Sequence, residues 1–183
     1  MPRTITTPPD FSGAALAALK EWLAIATARE DALLLRLLAS AHETCERFTG
    51  LIPLACGVEE VLDPGAGWLS LATRPVRALT SVTWLDADGE ATVIETAAWS
   101  RAIAADGSGG IRLDDPPKEG RLVVSFTAGI AGNWAAIPPA LGDGILRLAA
   151  HAYRGRDNAQ GSGASEPPAA VAALWRAWRR LRL

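Results

Sequence analysis

The chain has 183 residues, 49% of them apolar and 21% charged, with a net charge of −2; that length can bury one good core with at most a small satellite layer. Its longest uncharged run, Leu122 to Gly142, is broken by Gly129, Gly132, Asn133, Pro138 and Pro139, which excludes a membrane helix, and the N-terminus lacks the apolar stretch of a signal peptide. Residues 1–146 carry 11 Lys/Arg against 18 Asp/Glu, whereas residues 147–183 carry 7 against 2, so an acidic body with a basic tail is expected to dock through its C-terminus.

In chain order, a first helix is expected over about 13–25, capped by Ser12 or Asp10, with Leu16, Leu19 and Leu23 facing inward. Thr27-Ala-Arg-Glu30 has the form of a capping box for a second helix over about 29–49. There Leu34, Leu37, Leu38, Ala41, Cys45 and Phe48 recur at spacings of three and four, and Gly50 and Pro53 end the helix. From about 55 to 127 the texture is short β-type runs: Gly57–Leu62, Trp68–Leu71, Leu79–Leu85, Ala91–Ile94, Trp99–Ile103, Gly110–Leu113 and Leu122–Phe126. Asp88-Gly89 marks a hairpin, and spacing too short for crossover helices predicts antiparallel pairing. A third helix over about 140–153 places Leu141, Ile145, Leu148 and Ala152 on one face. The predicted class is α+β: an antiparallel helical bundle with a small antiparallel β module inserted between the second and third helices, plus a protruding C-terminal helix.

Domain organisation follows: a body over 1–155, a linker over 156–167 with Gly/Ser/Pro composition, and a C-terminal helix over 168–183. On that helix Val171, Leu174, Trp175, Trp178 and Leu181 form one stripe, flanked by Arg176, Arg179, Arg180 and Arg182. Two tryptophans on one face need a cover, and these nine residues are the candidate docking site. The competing arrangement is a helix folded back on its own body. If it protrudes, removing residues 162–183 leaves the fold intact.

Signals for chemistry are weak. His42 and His151 have no designed acidic partner, and Cys45 and Cys56 lack metal spacing, so the cysteines read as small buried hydrophobes in a reducing cytoplasm. Asp114-Asp115 and Glu59-Glu60 read as solvated acids, Gly107-Ser-Gly-Gly110 lacks the lysine of a phosphate loop, and no nucleophile motif is present. No enzyme, cofactor or metal is expected. The arginines and tryptophans of the tail also fit a small DNA-binding accessory protein. The aliphatic company of the tryptophans favours a protein groove.

Four segments carry a resemblance to a known family. Leu19-Lys-Glu-Trp-Leu23 with the Glu30–Ala41 run and Glu46-Arg-Phe-Thr-Gly50 is similar to an opening helical pair; Arg74-Pro-Val-Arg-Ala-Leu-Thr-Ser-Val82 with Asp86-Ala-Asp-Gly89 to a central β segment. Val123-Val-Ser-Phe-Thr-Ala-Gly129, Ile137-Pro-Pro-Ala140 and Leu148-Ala-Ala-His-Ala-Tyr-Arg154 are similar to a closing strand and third helix, and a proline introduces the last helix. In order and spacing the chain resembles the head–tail connector (adaptor) proteins of long-tailed bacteriophages, including the adaptors of gene transfer agents. The tail departs from that pattern in its tryptophans and arginines. The resemblance implies a ring, commonly of twelve copies, that docks on the portal protein through the C-terminal helix and extends the DNA channel. It also implies a stopper or tail-completion protein on the distal face, and double-stranded DNA that passes through without specific binding; no membrane is involved.

Overall fold

The structure, a computed structural model, describes residues 3–155 and 167–179. The α+β class is borne out. The order is β1 (Arg3–Thr7), α1 (Ala14–Leu23), α2 (Asp31–Thr49), β2 (Cys56–Leu62), β3 (Leu69–Ser70), β4 (Val76–Leu85), β5 (Ala91–Ile94), β6 (Trp99–Ile103), β7 (Gly109–Leu113), β8 (Arg121–Ala128), α3 (Pro139–Gly155) and α4 (Ala169–Trp175). Two compact units result, a sheet unit of Met1–Pro8 with Ala55–Gly129 and a helical unit of Pro9–Leu54 with Ile130–Leu183.

The sheet unit holds a five-stranded sheet in the order β1-β2-β8-β4-β5 and a three-stranded sheet in the order β3-β7-β6, with every strand pair antiparallel. At the expected hairpin the Asp86 carboxylate accepts the N–H groups of Asp88 and Glu90 at 3.0 and 2.8 Å, and Gly89 takes the left-handed φ of +85°. Burial alternates along β2 and β8, as period-two side chains require. Register sets Val58 beside Phe126 and Phe126 beside Leu79, so one face of the sheet is an apolar layer. Within that layer sits Glu60, only 1% exposed, whose carboxylate accepts the N–H groups of Ala72 and Thr73 at 2.8 and 2.7 Å. A strand is added to the expected set: β1 pairs with β2, Ile5 opposite Val58.

In the helical unit one core draws Phe11, Leu16 and Leu19, then Leu34, Leu38 and Cys45 from α2, then Leu141, Ile145 and Ala149 from α3. Both expected N-caps are corrected. Gly13 caps α1 with no side-chain bond, because the Asp10 carboxylate is used on the N–H and hydroxyl of Ser12. Helix α2 begins only at Asp31 and has no capping box. Glu30 instead accepts the hydroxyl of Tyr153 at the end of α3, and Asp31 pairs with Lys20 of α1 at 2.7 Å. The α2 C-cap is as expected, with Gly50 at φ +75°.

His42 is buried, edge-on to Phe11, and its Nε2 accepts the N–H of Leu54 at 3.1 Å. Burial pushes its pKa down from 6.5 to about 4. A folded pKa below the unfolded one means that protons favour the unfolded chain as pH falls. The contribution lost between pH 6.5 and about 4 is therefore about 3 kcal/mol. Stability should fall across that window, and the fall should be smaller in His42→Gln; a urea series from pH 7 to 4 on both proteins measures it.

Candidate docking surface

The C-terminal helix does not protrude. Val171 is 3% exposed and Trp175 fully buried, and both belong to the core that α2 and α3 build. The floor of this groove is Gly144 on α3, which the Trp175 indole covers so closely that a Cβ there would lie 2.1 Å from Nε1. Nε1 donates to the Leu141 carbonyl at 3.4 Å, and the Phe48 ring stands 6.0 Å from the indole at a tilt of 52°. Leu174 and Trp178 are half-buried against the same core.

The physical reason lies in length and shape. A seven-residue helix cannot stand alone in water, and an intramolecular groove covers its stripe without the entropy cost of recruiting a partner. The apolar stripe was legible in the sequence, but its cover was not. The missed signal was on α3: Gly142 and Gly144 lie on its buried face, and interior glycines usually have a packing reason.

Of the nine candidate residues, Val171, Leu174, Trp175 and Trp178 are thus gathered in one contact. Arg176 stays exposed, and the exposed Arg179 lies over the Phe48 ring at 5.6 Å. Arg180, Leu181 and Arg182 lie outside the described residues, as does the expected linker except Pro167. Outside this helix, two exposed tryptophans are each overlaid by an arginine: Trp22 by Arg147 at 5.8 Å and Trp68 by Arg112 at 5.5 Å.

The acidic and histidine pairs do not converge. Glu59 and Glu60 point to opposite faces of β2, Asp114 and Asp115 are exposed, and so is His151. Among the described residues no group of three or more His, Cys, Asp or Glu side chains could hold a metal, and no helix is long and apolar enough to cross a membrane. Cys45 and Cys56 are buried, and burial pushes the Cys45 pKa up to about 12.

The protein class these features define is a two-unit α+β chain whose conspicuous feature is a self-covered C-terminal helix. No protein-family model matches the chain, nor does any curated protein sequence. Solved structures do. A chain from the neck of an empty gene transfer agent particle, with C6 symmetry, is 26% identical at a TM-score of 0.79, over 100% of this chain and 97% of that one. A chain from the neck of a native particle, with C12 symmetry, is 25% identical at 0.77, again over 100% and 97%. One from the virion of a native gene transfer agent is 24% identical at 0.77 with the same coverage. The resemblance to gene transfer agent connectors expected from the sequence is borne out.

Proposed function

We propose that this protein is the structural connector in the neck of a gene transfer agent or tailed-phage particle. Whole-length likeness to neck chains, at 26% identity and a TM-score of 0.79, carries the reading. Copies form a ring, consistent with the C6 and C12 symmetry of the neck structures. The ring sits on the portal, extends the DNA channel and offers its distal face to a stopper or tail-completion protein. Duplex DNA passes without specific binding, and the role needs no cofactor.

Residues 168–183 are the portal-docking element, with 156–167 as its tether. Because Val171 and Trp175 are core residues in the free chain, docking through them requires the portal to draw α4 from its groove. Such a partner must favour the released form over the packed one by more than the groove contributes. The test is co-expression with the portal protein of the same particle, followed by light scattering and imaging. The expected result is a coaxial ring on the portal that is absent without it. A stable dimer indifferent to portal overturns the reading, as does tight duplex DNA binding without portal binding.

A further inference from the structure

The five-stranded sheet ends in two open edges, β1 and β5, neither of which pairs with another strand on its outer side among the described residues. Sheet edges are normally blunted by proline, by charge within the strand or by a covering element, because they template pairing with another chain. β1 is blunted only by Arg3 and by a register irregularity after Ile5, and β5 by neither. β5 reads Ala-Thr-Val-Ile with no charge inside it, and Val93 is 67% exposed. β1 reads Arg-Thr-Ile-Thr-Thr, exposed throughout, with Ile5 at 38%.

Two observations say what fits these edges. Four successive antiparallel pairings make β1 and β5 run in the same direction, so copies related by rotation about a ring axis can set β5 of one beside β1 of the next. The apolar layer also runs off the sheet at both ends. Ile5 lies across from buried Val58, and half-buried Ile94 lies across from buried Val82.

We infer that a second copy of this chain occupies each edge, β5 beside β1 in parallel register, so that the sheet continues from subunit to subunit. This rests on the ring proposed above. Joining unlike edges gives a head-to-tail contact, the kind that closes into a cyclic ring and leaves no edge of the five-stranded sheet open. The strands are of matched reach, about 16 Å for β1 and about 13 Å for β5.

The experiment uses the portal-bound assembly of a Thr4→Cys/Ala91→Cys double variant, whose two positions lie on the same, outer face of the sheet, and a short bis-maleimide. The native thiols are buried and do not compete. A ladder of covalent multimers is expected from the double variant and only monomers from either single variant. Val93→Lys should abolish rings while leaving the melt of the free protein unchanged. Rings visible by imaging without a ladder, or rings that persist in Val93→Lys, overturn the edge pairing and leave the ring itself standing. Failure of the wild-type protein to form rings on portal instead overturns the ring reading, and the edge pairing with it.

Discussion

Trp175→Ala should lower the stability of the helical unit by about 3–5 kcal/mol, the usual cost of deleting a fully buried large aromatic side chain, and shift the melt downward by roughly 10 °C. The substitution empties a site floored by Gly144 and walled by Phe48, and removes the bond that its indole N–H makes to the Leu141 carbonyl. Two glycine variants isolate the groove from the tail. Gly144→Ala drives a methyl to 2.1 Å from the indole nitrogen, so the helix must leave and the melt should fall. Gly142→Ala meets nothing nearer than the Ile137 Cγ2 at 3.6 Å, and should be neutral or gain up to about 1 kcal/mol of helix propensity. Thermal melts of the three proteins suffice. An unchanged melt in Trp175→Ala would mean that α4 stands off the body after all. In that case removing residues 162–183 would be harmless; with α4 packed, the same truncation should destabilise the chain comparably to Trp175→Ala.

Glu60→Ala should cost the sheet unit about 3 kcal/mol or more. A carboxylate that accepts two backbone N–H groups in a buried site makes charge-assisted bonds of about 1.5–3 kcal/mol each, and here they fasten Ala72 and Thr73, which connect β3 to β4. Glu60→Gln retains one acceptor oxygen but turns an amide NH₂ toward a backbone N–H, so it should recover only part of the loss. Hydrogen exchange is the sharper measurement. Protection of the Thr73 amide should drop in both variants more than that of the central strand β8. Equal loss everywhere would indicate that Glu60 acts only through global stability.

What the sequence made legible follows how local each cause is. Helix α2 was readable because its apolar period and Gly50 lie within the segment itself, and the β4–β5 hairpin because Asp86 and Gly89 bond within one turn. The capping box failed because Glu30 is claimed by Tyr153, 123 residues away. Strand β1 went unread because a fully exposed strand has no apolar alternation; its identity lies in its register with β2. The α4 stripe was read from its own residues, but its cover on α3 is a shape complementarity between distant segments, and only the two glycines hinted at it. Glu60 reads with Glu59 as a solvated acid, and the structure corrects this: Glu60 is buried and bonded to the Ala72 and Thr73 N–H groups. Alternation along a strand separates adjacent side chains, so the two could not have acted together.

The way the chain threads its two units has a consequence for synthesis. Strands β2 to β8 form one uninterrupted stretch within Ala55–Gly129, whereas the helical core needs partners from both ends of the sequence. On a ribosome the sheet can close while Leu34, Leu38 and Cys45 of α2 still wait for α3 and α4 to emerge. The nascent chain thus carries an uncovered amphipathic helix until α3 and α4 emerge. It is in that interval, more than in the folded protein, that self-association threatens, and the docking of α3 and α4 ends it.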